Sequence, residues 1–298
     1  MERGKVNKPD LLLTGDWHLR EDTPTCFTGD FQKEQWDAVQ FISELQEKYD
    51  IPVICSGDLF HHWKPSPWLL SQTLWYLPNK FCTIYGQHDL PQHNWDLREK
   101  SGIHTLQMAG KLYVLPGCHY GETPEDMFEN HLSTQSIMNF NTDEATLVWH
   151  HLTYITEPYP GATGGNAYDI LNKYKQFKLI VTGDNHCSFT IEKDGRRLVN
   201  TGNLTRQTAA QIDFKPCVWL WYAESNTVEQ VFLPIEEGVV SREHLQVKEE
   251  RNERIDAFIS KLSGDYKTEL SFEANLESFF QANEVKESVR RIVYKAIE

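Results

Sequence analysis

Apolar residues along this chain come in short runs, and most runs stop at a glycine or a polar cluster. Leu11, Leu12 and Leu13 run into Gly15 and predict a buried strand. Behind them Trp36, Val39, Phe41, Ile42 and Leu45 recur near helical spacing within residues 31–49 and predict a helix. Further strands are predicted over 51–55, ending at Gly57, over 81–85, ending at Gly86, and over 111–115, closed by Pro116 and Gly117. A helix over 68–77 follows Pro65 and Pro67. The rhythm returns in the second half, with a strand over 145–149 ending at His150, a helix over 168–174 and a strand over 179–182 ending at Gly183. Residues 197–200, 218–222 and 227–233 then read as antiparallel strands. Strands and helices in alternation predict an α/β sandwich, whose ligands gather at the carboxyl ends of the strands.

The texture changes after about residue 236, which divides the chain into a main domain, 1–235, and a C-terminal helical region, 236–298. Glu249-Glu250-Arg251-Asn252-Glu253-Arg254 is a charge run suited to a solvated helix face. Ser263-Gly264-Asp265 reads as a break, and Val285, Val289, Ile292, Val293, Ala296 and Ile297 form an apolar stripe at helical spacing. The simpler expectation is that these helices pack on the core or on one another. The sharper one makes them a DNA- or partner-contacting element.

Four clusters carry the chemistry: Gly15-Asp16-Trp17-His18, Gly57-Asp58-Leu59-Phe60-His61, Gly86-Gln87-His88-Asp89 and Gly183-Asp184-Asn185-His186. Each sets carboxylates, amides or imidazoles just after an apolar run, so distant residues can converge at strand ends. Asp16 and His18 are two apart and share a face of an extended chain, as do Asp184 and His186. Asp58 is the candidate to bridge two cations with its two oxygens, Gln87 offers an amide oxygen and His150 an imidazole. His150 and His151 are neighbours that point to opposite faces of a strand, so one of them is the ligand; His150 directly follows the strand and is chosen, leaving His151 to support it or to face substrate. This mixed oxygen and nitrogen set suits Mn²⁺, Fe²⁺ or Zn²⁺ better than Ca²⁺. His88, beside Gln87, is the candidate general acid or transition-state stabiliser, with Asp89 to orient it. His62, His93, His104, His119, His131 and His244 match no motif and default to structural or surface roles.

Composition bounds this picture. Of 298 residues, 40% are hydrophobic, enough for a sizeable core. No run of about 18 apolar residues exists, so no membrane span is expected, and the apolar run near the N-terminus is too short for a signal peptide. Six scattered cysteines with no CxxC pair suit a reduced compartment, and an intracellular, cytoplasmic protein is expected. A formal charge of −14 argues against general nucleic-acid binding by this chain alone, because phosphates are neutralised by clustered Lys and Arg. Bound cations or a basic partner would offset it.

In their order, Asp16-x-His18, Gly57-Asp58, Gly86-Gln87-His88-Asp89, His150 and Gly183-x-x-His186 resemble the calcineurin-like metallophosphoesterase superfamily, over about residues 10 to 235. Gly57-Asp58-Leu59-Phe60-His61 resembles its nuclease branch, the SbcD-type DNA repair and recombination nucleases, and the set is similar to phage-encoded SbcD-like subunits. Asn200-Thr201-Gly202-Asn203-Leu204-Thr205-Arg206 is similar to the Asn-Pro-Gly-Ser segment of that branch. Two positions depart from the pattern: Gln87 stands where Asn is usual, and Asp184 where the last motif has its first His. Asp is harder and anionic, which shifts the expected ions toward Mn²⁺ or Mg²⁺.

The resemblance implies a four-layer α/β/β/α sandwich with a small C-terminal helical appendix. It implies two divalent ions held by Asp16, His18, Asp58, Gln87, His150, Asp184 and His186, and it gives His61 a substrate-contacting role. It further implies duplex exonuclease and single-strand endonuclease activity, a homodimer, and an SbcC-type, SMC-like coiled-coil ATPase partner. Trp17, Trp63 and Trp95 are placed near the mouth, where they would stack on bases or belong to the core. Two other readings stand beside the DNA nuclease: a phosphatase or nucleotide phosphodiesterase with the same dinuclear site, and a binding subunit that has lost activity through Gln87 and Asp184.

Overall fold

Residues 8–129, 146–158, 160–265 and 271–297 are described by the computed structural model. His131 and Ala145 lie outside the described residues. The chain divides into two compact units, Met1–Ser241 and Arg242–Glu298.

In the first unit the elements run β1 (Leu11–Thr14), α1 (Phe31–Tyr49), β2 (Val53–Cys55), α2 (Pro67–Tyr76), β3 (Phe81–Thr83), α3 (Gly102–Met108), β4 (Tyr113–Val114) and α4 (Pro124–Glu129). They continue with β5 (Thr146–Trp149), β6 (Thr153–Tyr154), β7 (Gly165–Asn166), α5 (Ala167–Lys173), β8 (Leu179–Thr182), β9 (Phe189–Lys193), β10 (Arg196–Asn200), β11 (Cys217–Tyr222) and β12 (Thr227–Phe232). One sheet has the order β12-β11-β1-β2-β3-β4, a second has β5-β8-β10-β9, and β6 pairs with β7.

The pleat of β1 explains the layering, because alternate side chains leave opposite faces. Leu12 packs with Val53, Phe81 and the inner faces of α1 to α3 through Val39, Ile42, Leu69 and Ile103. Leu11 and Leu13 turn the other way and meet Ile54, Val148, Val181 and Val199, so the two sheets share a core. The far face of the second sheet, with Leu147, Ile180 and Leu198, is covered by Ile170 and Leu171 of α5. The first unit is therefore a four-layer α/β/β/α sandwich. Each of these leucines and isoleucines contributes roughly 1.5–3 kcal/mol by leaving water.

The antiparallel reading holds for residues 218–222 and 227–233 and is corrected in part for 197–200. β11 runs antiparallel to β1 and β12, but β10 lies in the other sheet, parallel to β8 and antiparallel to β9. A fully buried strand can be parallel or antiparallel on the same apolar pattern, and β9 is too polar to announce itself.

In the second unit, α6 (Glu243–Asp265), α7 (Phe272–Ala282) and α8 (Glu287–Ile297) follow. The expected break at Ser263-Gly264-Asp265 is corrected, since α6 continues through it to Asp265; one glycine costs a helix only about 1 kcal/mol. Val285, Val293 and Tyr294 pack on Leu276, Phe279 and Phe280, while Ile292 is 69% exposed. Among the described residues no helix is long and apolar enough to cross a membrane.

Candidate metal centre

Strand pairing continues past the ends of β1 and β2 and stitches their two loops together. Asp16 N–H donates to Gly57 O at 3.0 Å, His18 N–H to Asp58 O at 2.9 Å and Leu19 N–H to Leu59 O at 2.9 Å. Asp16, His18, Asp58 and Asp184 all adopt left-handed backbone, with φ between 44° and 70°. That conformation is uncommon outside glycine and is concentrated where side chains must be turned out of a regular strand. Gly86 is required for a different reason: a Cβ there would lie 2.1 Å from Asp58 Oδ1.

The predicted residues meet. Donor atoms of Asp16, His18 and His186 lie within 4.8 Å of one another, and so do those of Asp16, Asp58 and His150. Asp58 Oδ2 sits 3.7 Å from His18 Nε2 and 3.6 Å from His150 Nε2. Its other oxygen accepts the His88 amide at 2.9 Å. Asp16 Oδ1 accepts the Asp184 amide at 3.0 Å, and Gln87 Nε2 donates to Asp184 Oδ1 at 2.9 Å. His150 Nδ1 donates to the Ser56 carbonyl at 2.7 Å, which aims Nε2 inward. Of the adjacent pair, His150 is the one whose ring nitrogen joins Asp16 and Asp58; the His151 ring stacks on Trp149, 4.0 Å away and 6° from parallel.

The fit to cations is visible in what these atoms lack. Asp16 Oδ2, Asp58 Oδ2 and His150 Nε2 are buried without a hydrogen-bond partner among the described residues. Such atoms cost about 1–3 kcal/mol each unless something binds them. Burial pushes the Asp16 and Asp58 carboxyls well above the usual carboxylate range, and for Asp58 the charge of Asp89 adds to it. Burial, then the neighbouring His186 and His88, hold His18 well below the usual imidazole value. Two or three carboxylates crowded in a water-poor pocket repel one another, and positive ions reverse that sign.

His88 and His61 stand together beside this cluster, their rings stacked 5.4 Å apart, with His88 4.7 Å from the His18 ring. His88 Nδ1 donates to the His61 carbonyl at 2.8 Å. The orienting role expected of Asp89 is thereby corrected. Its oxygens accept the amides of Phe60 at 3.1 Å, Gly86 at 3.0 Å and Leu59 at 3.3 Å, so it fastens two loops rather than the His88 ring. Of its two alternatives Trp17 takes the core one: it is fully buried and edge-on to Phe81. Trp63 is half-buried against His62, and Trp95 stacks on His119 at 4.3 Å.

Two positioning residues escaped the sequence reading. The Ser56 carbonyl fixes His150, and Asn200 Nδ2 donates to the carbonyls of Asn185 at 2.6 Å and Cys187 at 2.7 Å, holding the loop that carries Asp184 and His186. A backbone carbonyl leaves no trace in sequence, whereas an Asn closing an apolar strand is a readable signal. Arg206, in the same segment, makes a buried pair with Glu34 of α1 at 2.8 Å and donates to Glu236 O at 2.7 Å.

The calcineurin-like phosphoesterase family profile matches residues 9–188. No curated protein matches the chain. Among solved structures, a novel archaeal phosphodiesterase is similar at 12% identity and a TM-score of 0.41, over 75% of this chain and 99% of that one. Phosphopantetheinyl hydrolase (PptH) from Mycobacterium tuberculosis is similar at 14% identity and a TM-score of 0.43, over 76% of this chain and 96% of that one.

Proposed function

The chain belongs to the calcineurin-like phosphoesterase family and is a metal-dependent hydrolase of phosphoester bonds, and on that premise we propose that it is a dinuclear DNA nuclease subunit. One observation carries the dinuclear reading: Asp58 Oδ2 is buried, has no hydrogen bond, and lies between His18 at 3.7 Å and His150 at 3.6 Å. A carboxylate so placed would be able to serve two ions. Asp16, His18, Asp58 and His186 would hold one ion, and Asp58, Gln87, His150 and Asp184 the other. Mn²⁺ is the proposed ion, with Mg²⁺ the alternative that the oxygen-rich second set also accepts. When bound, such ions supply an activated water and a charge that draws in phosphate oxygens.

The chain's own residues do the rest. His88 keeps its Nδ1 proton on the His61 carbonyl, which leaves Nε2 facing outward; only as the imidazolium would the ring hand its Nε2 proton to the departing oxygen. His61 flanks it and contacts substrate. Asp89 keeps both loops in register through three amides. The choice of DNA is supported by Gly57-Asp58-Leu59-Phe60-His61, the motif shared with SbcD-type nucleases. An SbcC-type coiled-coil ATPase would bring the basic DNA surface that a chain of charge −14 lacks, and a homodimer is proposed by the same analogy.

The test is Mn²⁺-dependent cleavage of single- and double-stranded DNA, with and without a cognate ATPase. Cleavage of either strand form is expected; turnover of phosphomonoesters with DNA left intact would replace the nuclease by a phosphatase. His88→Asn is expected to lower cleavage by at least a hundredfold while metal analysis still finds two ions per chain. Unchanged cleavage in that variant removes His88 from the reaction.

A further inference from the structure

Beside the proposed metal ligands His150 and Asp184 lies a cavity of about 270 Å³, lined also by Tyr120, Glu122, Trp149, His151 and Thr163. The reaction described above leaves it without a role. Its floor is a prebuilt stack, His151 lying flat on Trp149 at 4.0 Å. The Trp149 indole N–H is already spent on the Glu122 carbonyl at 2.9 Å, and Trp149 is buried, so His151 offers the open end of the stack. Gly165 allows it: a Cβ there would come within 3.2 Å of His151 Nε2. Gly165 N–H is itself tied to Leu152 O at 2.8 Å, so the wall that carries Thr163 is held against the floor. The Tyr120 ring stands 6.4 Å from that of His150, joining the cavity to the metal centre.

The lining chemistry selects the occupant. Among the described residues no lysine or arginine lines the cavity, which does not suit a second phosphate or a carboxylate. Stacked rings beside the second oxygen of Glu122, whose first accepts the His119 amide at 3.0 Å, suit a flat, neutral heteroaromatic group bearing an N–H donor. The volume is ample for one such group. His88 packs with His18 and His61, and none of the three lines this cavity. The cavity therefore faces the part of the substrate that stays on the phosphate, away from the leaving oxygen.

We propose that this cavity is a nucleobase subsite, in which the base of the retained nucleotide stacks on His151 and against Tyr120. It rests on the phosphodiesterase reading of the metal centre and names the group that the centre selects.

The test compares two phosphodiesters with the same p-nitrophenyl leaving group: one retains a nucleoside, the other only a methyl group. The wild-type protein is expected to favour the nucleoside ester in kcat/KM by about tenfold or more, the range of one base–aromatic stack. His151→Ala and Tyr120→Ala are expected to collapse that ratio at least fivefold through KM, and His151→Phe and Tyr120→Phe to restore most of it. A wild-type ratio near one overturns the subsite, as does a ratio that stays within twofold in both alanine variants. The wild-type ratio needs no variant, so misfolding of a variant cannot rescue the proposal. Preference for the nucleoside ester together with intact DNA would sink the nuclease reading and leave the subsite standing.

Discussion

Asp58 shows how much one carboxylate can be asked to do. One oxygen fixes the His88 amide at 2.9 Å and the other is left bare between two imidazoles. Asp58→Ala is therefore expected to lose both ions, read as metal content per chain; retention of two ions would remove the bridging role. Asp89 is a carboxylate of another kind. It is fully buried with its carboxyl raised to about 6 by burial, and it accepts three backbone amides. Asp89→Ala strands those donors and is expected to cost about 3 kcal/mol or more in urea unfolding; a loss under about 1 kcal/mol would contradict the loop-fastening role. The sequence made the first residue legible and misjudged the second. Asp16, His18 and Asp58 stand in motifs whose chemistry is their spacing. Asp89 stands in a motif of the same kind, Gly86-Gln87-His88-Asp89, but its partners are main-chain amides, which look alike at every position.

At the scale of elements, the short strands and their exit loops were readable because apolar runs stop abruptly at Gly15, Gly57, Gly86 and Gly183. Sheet membership was not, because β10 and β11 carry similar buried patterns and only long-range pairing tells them apart. The loop after β4 carries another feature hidden from sequence. His119 is buried, its Nδ1 accepts the Tyr85 amide at 3.1 Å, and Trp95 covers its ring. Burial, then the charge of Arg98, lowers its imidazole from 6.5 to about 3. The unfolded chain thus binds a proton below pH 6.5 that the folded one refuses. The stability from neutral His119 is complete above that pH and is lost as pH falls toward 3, by about 2 kcal/mol at pH 5. His119→Gln keeps an acceptor for Tyr85 without the titration. Its unfolding free energy is expected to fall less than that of the wild type between pH 7 and 5, and parallel curves would refute the assignment.

For the whole molecule, the metal centre is both a site and a source of stability. The bare atoms of Asp16, Asp58 and His150 belong to different segments that cations would draw together. Chelation is expected to lower the melting temperature of the loaded protein by several degrees, since each site held at a hundredfold its Kd adds about 2.7 kcal/mol. Because burial raises the Asp16 and Asp58 carboxyls, protons compete with the ions as pH falls, and the metal-dependent increment should shrink from pH 7 to pH 5. An increment that grows on acidification would contradict that order. Geometry also decides when during synthesis the centre can exist. Asp16 is fastened to Asp184 and His18 to His186, each across 168 positions. A nascent chain halted before Gly183 carries Asp16, His18, Asp58, Gln87 and His150 but cannot close the ring of donors. Products truncated before Gly183 thus lack the last donors and are expected to leave phosphoesters uncut, so the centre is armed only late in synthesis.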